Sequence, residues 1–531
     1  MPHLPILRCL FLLLVLTPAL KAQSFLDWKA LKPGPHAVGF KALAASDATR
    51  TFQTPTDYFG HPRPGFGNRP VQIALWYPAE AASSGVPLTY GDYVSLLAWE
   101  LGDVKAGAEE RLAAESQFVQ MAAPSATTEV KTAFGALFRE SVRAKRDAKP
   151  AAGRFSVMIY APGGGYPAFD NSVLAEFLAS HGFIVLSSPS VGPEGRDMPA
   201  SAVALDAESR DMEFLAGYAQ SLPQADPNRI AAMGFSLGGP SAALFTLRNA
   251  RVKALISLDG ALRDERYAAM AGSFPQFRPD SLRVPLLWIA CAPANSLPGF
   301  GEGSFQEQAK YSDLVKAVFP GLEHHDFSSM SSLQRRRAQG TAMDWSSATA
   351  SYEASCRIIL GFLESRLNGI ALKLDQEPEA LCKVTFRPAR KAPPSSADFR
   401  EILLKDGLPK ASELVQIIQR EYPEALPAFE APMTAAGYEV LGGGRANIAV
   451  GIFALMVETY PDSFNASDSL GEAYLAEGSL GPAERCYAAA RSKLENDPRV
   501  PADRRAEQRA RIDKVLADIR ARKGKIGNPA H

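Results

Sequence analysis

The sequence predicts an α/β protein, with a doubly wound, mostly parallel sheet followed by a smaller all-α module of helical repeats. Three observations predict it. From about Arg69, short apolar, β-branched runs alternate with helix-compatible segments, the pattern of a parallel sheet covered on both faces. Gly234-Phe235-Ser236-Leu237-Gly238 joins one apolar run directly to a helical one. Beyond a stretch with four prolines at 378–396, Gly437 and Gly471, Ala449 and Ala483, Phe453 and Tyr487 each recur at a spacing of 34, a helical-repeat period.

The elements follow in chain order. Residues 1–22 carry Arg8, an apolar run at 9–16, Pro18 and Ala19-Leu20-Lys21-Ala22, the layout of a secretory signal peptide cut after Ala22. Leu20 departs from the small residue favoured there, so an uncleaved anchor is the alternative reading; the apolar run is too short to span a bilayer. The sheet domain is expected over 23–368, with strands at 71–76, 156–161, 183–188, 229–233, 254–258, 286–291 and 316–319, preceded by one at 36–43. An insertion at 87–149 shows helical periodicity over 93–114 and 131–144; lid, pocket wall and surface decoration all fit that pattern. Helix 172–180 has Asn171 as N-cap and Gly182 to end its last turn. The amphipathic segment 350–367 closes the domain, and 369–396 reads as a linker.

In the C-terminal domain, 397–531, the recurring residue types suit a tetratricopeptide-like array. Small residues let paired helices approach, and an aromatic fills the gap between neighbouring pairs. Helices at 398–421 and 503–522 are expected to cap the stack. The array reads either as a groove for a protein or peptide partner or as a rigid appendage.

The chain of 531 residues, 46% hydrophobic and 21% charged, is long enough for more than one globular core. Lys plus Arg and Asp plus Glu number 57 each, so no global field attracts nucleic acid. Without Cys9, the remaining Cys291, Cys356, Cys382 and Cys486 are too scattered for a disulfide framework. They read as buried thiols, although an even count permits one bridge.

The chemistry centres on Ser236. A tight strand-to-helix turn forces its side chain outward, flanking glycines remove Cβ atoms that would clash, and Pro240 suits the first helical turn. A serine hydroxyl needs a base, a carboxylate to orient that base, and donors for the oxyanion. On this fold the order is Ser, then Asp or Glu, then His. No carboxylate occurs from Pro285 to Gly301. Asp259, one strand earlier, is therefore the orienting acid, with a simple Asp-Gly turn as its plainer reading. His324 is the base, with His325 as the adjacent fallback. The Leu237 N–H and that of Gly164 or Gly165 form the oxyanion site. No metal or organic cofactor is required.

These residues resemble the serine-dependent α/β hydrolases that include platelet-activating-factor acetylhydrolase and dienelactone-hydrolase-like proteins. The blocks are Ala74-Leu75-Trp76-Tyr77-Pro78-Ala79, the 162–165 loop, 179–185, 234–239, Ser257-Leu258-Asp259 and His324-His325-Asp326-Phe327. The resemblance implies an acid after the sixth strand, in agreement with Asp259, and favours His324 as base. Pro162 replaces the histidine of the acetylhydrolases, and Ser236 the cysteine of dienelactone hydrolases. The C-terminal module resembles those appended to secreted bacterial hydrolases. The expectation is an exported serine esterase acting on a small-molecule ester; a peptidase, or a silent fold serving as a periplasmic scaffold, are the alternatives.

Overall fold

The computed structural model describes residues 26, 28–56, 62, 67–81, 84–101, 107–301, 304–339, 344–373 and 377–527. The expected signal segment, 1–22, lies outside them. Two compact units divide the chain, Met1–Arg390 and Lys391–His531.

The first unit is built on β1 (Ala37–Phe52), β2 (Gly67–Ala79), β3 (Val86–Thr89), β4 (Ser141–Arg146), β5 (Phe155–Ala161), β6 (Phe183–Ser187), β7 (Ala225–Phe235), β8 (Val252–Leu258), β9 (Leu286–Cys291), β10 (Leu314–Phe319) and β11 (Lys383–Arg387). Their order in the sheet is β11-β10-β9-β8-β7-β5-β6-β2-β1-β4-β3. The central strands β6, β5, β7, β8, β9 and β10 are parallel neighbours. Antiparallel pairings of β2 with β6 and β1, and of β11 with β10, extend the two sides. Chain order reverses between β5 and β7, and at such a switch point the loops leaving the strands' C-terminal ends open a crevice.

Ten helices accompany this sheet among the described residues: α1 (Tyr90–Val94), α2 (Ala108–Ala122), α3 (Thr128–Arg139), α4 (Ser172–Ser180), α5 (Ala202–Ala219), α6 (Gly238–Arg248), α7 (Glu265–Gly272), α8 (Phe305–Gln308), α9 (Ser329–Gln339) and α10 (Ser346–Asn368). Strand periodicity assigns them to two faces. Ala231, Met233 and Phe235 of β7 share a core with Leu174 and Phe177 of α4 and Ile359 and Phe362 of α10. Ile230 and Ala232 point the other way, toward Leu205 and Met212 of α5 and Leu244 and Phe245 of α6. Burial on both faces is why these strands read as continuous apolar runs rather than as alternation.

Several expectations need correction. Segment 93–114 is not one helix: after α1 a 3₁₀ turn spans Ser95–Trp99, and α2 starts at Ala108. Residues 131–144 also change element, since α3 ends at Arg139 and Ser141–Arg146 is a strand pairing with β1 and β3. The stretch expected as a linker contains β11, whose Lys383 to Arg387 add to the sheet edge at β10. Asn171 precedes α4 without a side-chain cap. Its amide instead donates to the Phe327 carbonyl at 2.8 Å and accepts from the Tyr352 hydroxyl at 2.7 Å.

The insertion at 87–149 is part of the core, not a surface decoration. Tyr90, Tyr93 and Phe118 pack around Phe169, and Tyr93 donates to the buried Glu176 at 2.6 Å. Cys291, Cys356, Cys382 and Cys486 are free thiols. No helix among the described residues is long and apolar enough to cross a membrane.

The second unit comprises α11 (Ser396–Lys405), α12 (Leu408–Glu421), α13 (Glu430–Gly442), α14 (Ala446–Thr459), α15 (Phe464–Glu477), α16 (Leu480–Lys493) and α17 (Ala502–Gly527). From α13 to α17 each helix packs on the next. The glycines and aromatics spaced by 34 meet across these contacts. A Cβ on Gly437 would stand 2.4 Å from the Phe453 ring, and one on Gly471 3.0 Å from the Tyr487 ring. Close approach at both places explains why glycine faces an aromatic twice.

Candidate active site

Three chain segments at the C-terminal ends of β7, β8 and β10 bring Ser236, Asp259 and His324 together. Ser236 sits immediately after β7 with φ of 51°, a left-handed conformation that costs a non-glycine residue about 1–3 kcal/mol. The turn is held by its own backbone: the Ser236 carbonyl accepts from the N–H groups of Gly239 at 3.0 Å and Ala261 at 2.7 Å. The glycines are required by contact with backbone. A Cβ on Gly234 would lie 2.0 Å from the Gly238 carbonyl oxygen, and one on Gly238 2.4 Å from that of Ala161. Gly234→Ala is therefore expected to destabilise the protein by about 2–3 kcal/mol and to lower turnover, as read by urea unfolding and assay of the folded fraction.

Asp259 follows β8 with φ of 41°, and His324 opens a 3₁₀ turn, His324–Phe327, after β10. His324 Nε2 is 2.9 Å from Ser236 Oγ, and its Nδ1 is 2.6 Å from Asp259 Oδ2. Both His324 and Asp259 are buried, whereas Ser236 is half-buried and reaches solvent. The histidine turn is braced by Arg335, which pairs with Asp326 at 2.8 Å and Glu323 at 2.7 Å. Burial pushes the Asp259 carboxyl upward, but the His324 hydrogen bond, the charges of His324 and Arg263 and the Cys291 N–H outweigh it and hold the carboxyl below its ordinary range. It is a carboxylate at neutral pH, able to orient an imidazole and balance its charge.

The loop after β5 stands beside Leu237. A Cβ on Gly164 would be 2.8 Å from Leu237 Cδ2, so the glycine loop packs directly against the Leu237 side chain. Gly165 has φ of 74°, and the Tyr166 N–H closes the turn onto the Gly163 carbonyl at 2.8 Å. His325 is placed differently from His324: its Nδ1 lies 3.5 Å from the Tyr166 hydroxyl. Burial, then the charges of His324 and Arg335, push the His325 imidazole below its usual range.

Sequence reasoning missed four residues around this line. Phe235 stacks on the His324 ring at 5.1 Å, and Phe300 meets it edge-on at 5.3 Å. Arg263 and the Cys291 N–H bind the other Asp259 oxygen, the latter at 3.0 Å. Only Arg263 had a readable signal, its spacing of four from Asp259.

Asp170 and Asn171 tie the glycine loop to the histidine segment. The Asp170 carbonyl accepts from the Ser328 hydroxyl at 2.9 Å and the Met330 N–H at 2.8 Å. Burial pushes the Asp170 carboxyl up to about 8, against hydrogen bonds from Tyr160 and the Gly163 backbone. A carboxyl with a raised folded pKa adds stability while protonated and loses it as pH climbs from the unfolded to the folded value. The urea midpoint should thus fall from about pH 4 to about pH 8, and Asp170→Asn should reduce that fall; an unchanged pH slope would contradict the assignment.

Among the described residues no cluster of three or more His, Cys, Asp or Glu could hold a metal ion. Residues 158–401 match the model of the alpha/beta hydrolase family. No curated protein matches the chain. Among solved structures, a ferulic acid esterase from Streptomyces cinnamoneus is similar at 22% identity over 66% of this chain and 96% of its own, with a TM-score of 0.44. With its mostly parallel sheet, the first unit has the alpha/beta hydrolase fold.

Proposed function

We propose that this chain is an exported serine hydrolase that cleaves a carboxylic ester through Ser236, His324 and Asp259. The observation that carries the reading is the continuous hydrogen-bonded line from the Ser236 hydroxyl through the imidazole to a buried carboxylate. His324 Nε2 takes the Ser236 proton as Oγ attacks the ester carbonyl, while Asp259 holds Nδ1 and balances the imidazolium. The N–H groups of Leu237 and Gly164 receive the oxyanion. His324 then protonates the leaving alcohol, and a water molecule, activated by the same imidazole, releases the acid from the acyl-enzyme.

Closeness to the acetylhydrolase and dienelactone-hydrolase-like group belongs to this reading, as does a tetratricopeptide-like character for the second unit. The signal-like layout of residues 1–22 supports export. A panel of chromogenic esters of increasing acyl length, run beside matching amides, tests the reaction. Ester turnover that is sensitive to a fluorophosphonate attached at Ser236 is the expected result. Folded protein that neither labels nor turns over any ester would overturn the proposal, and preference for the amides would make it a peptidase.

A further inference from the structure

Arg263 is a buried arginine at the centre of the site that the chemistry above does not use. It lies four residues beyond Asp259, in the 3₁₀ turn Ala261–Arg263. Its Nη1 donates to Asp259 Oδ1, the oxygen that His324 does not engage. Nη2 donates to Ser296 Oγ at 2.6 Å, and Nε to the Gly301 carbonyl at 3.1 Å, while the Gly301 N–H returns a bond to the Arg263 carbonyl at 2.9 Å. The guanidinium also lies 5.9 Å from the centre of the Phe300 ring, which packs edge-on against His324. One side chain thus joins the acid to the stretch that covers the imidazole.

We propose that Arg263 is a positioning residue of this site, fixing Asp259 through the oxygen that His324 does not engage and fastening the 292–301 stretch, with Phe300, over His324. The proposal rests on the reading of Ser236, His324 and Asp259 given above. A neutral hydrogen-bond donor would supply the fastening alone; a guanidinium also sets a permanent positive charge against the carboxylate. That charge offsets part of the field with which Asp259 favours the imidazolium. The other charged or titratable groups near His324 are His325, the Cys291 thiol at 3.6 Å from Asp259, and Glu323 and Asp326, both paired with Arg335. None of them bonds to the Asp259 oxygen that Arg263 occupies, apart from the Cys291 backbone.

The test is a pH titration of the His324 ring resonance in the intact protein, assigned among seven histidines by its loss in His324→Gln. Arg263→Gln should move the midpoint upward by about one unit, and Arg263→Lys, which keeps the charge, should return it most of the way. An unmoved midpoint in folded Arg263→Gln, or a Lys variant as displaced as the Gln variant, would overturn the role. Should Arg263→Gln not fold, Asp259→Asn is compared with Asp259→Asn/Arg263→Gln, a neutral buried pair. The double variant should titrate about one unit higher than the single, and equal midpoints would overturn the proposal. Because the titration reads His324 itself, it gives an answer even if Ser236 proves not to hydrolyse esters.

Discussion

Ser236→Ala is expected to lower ester turnover by about 10⁴- to 10⁶-fold with little change in KM. The substitution removes one oxygen, the only atom of this side chain that reaches His324. The Ser236 backbone bonds to Leu258, Gly239 and Ala261 do not involve the side chain, so the turn persists. Alanine at φ of 51° carries about the same strain as serine, and the melting temperature should therefore stay within a few degrees. What remains is the catalysis due to binding and the oxyanion site alone, which by comparison with other serine hydrolases amounts to about 10³–10⁴ over water. Turnover within tenfold of the parent, in protein free of contaminating esterase, would remove Ser236 from the mechanism. Fluorophosphonate labelling gives an independent reading, since the reagent needs the same activated oxygen.

The central sheet was legible because its strands are buried on both faces, so Val71, Ile159, Ile230, Leu255 and Leu287 stand in apolar runs too dense for a surface. The edges were not. In Ser141–Arg146 only Ala144 is buried, and a run such as Val-Arg-Ala-Lys-Arg carries no apolar stripe that distinguishes strand from helix. Lys383–Arg387 is hidden for a related reason: it is mostly exposed and lies between prolines, and its ladder with β10 is a backbone property that side chains do not announce. The site shows the same division. Asp259 was reached because the next strand's loop offers no carboxylate at all, an argument from residue type. Arg263 could have been read from its spacing of four from Asp259, whereas Phe300 depends on how the 292–301 stretch folds back, and no local periodicity encodes such a path.

Asp259→Asn should act on catalysis and on stability at once. Asparagine preserves volume, yet it can present its amide nitrogen to His324 and select the tautomer in which Nε2 carries the proton, the wrong one for accepting from Ser236; the comparable change elsewhere lowers kcat by about 10⁴-fold. The stability effect arises on the other oxygen. Asp259 and Arg263 are both buried, and their charges balance one another. Removing the carboxylate leaves the guanidinium with Ser296 and Gly301 but no counter-charge, a loss expected to cost about 3–5 kcal/mol. The parent carboxylate stabilises the fold above the ordinary aspartate range and loses that contribution as pH falls through its depressed folded value. The variant should therefore be much less stable than the parent at pH 7 and differ less from it in strong acid. Adding Arg263→Gln separates the two effects. The neutral pair should recover most of the lost stability in urea while turnover stays about 10⁴-fold down, because the tautomer of His324 remains uncorrected. Recovery of turnover along with stability would mean that Asp259 serves only to hold the fold, and the base would then have to be oriented by another group.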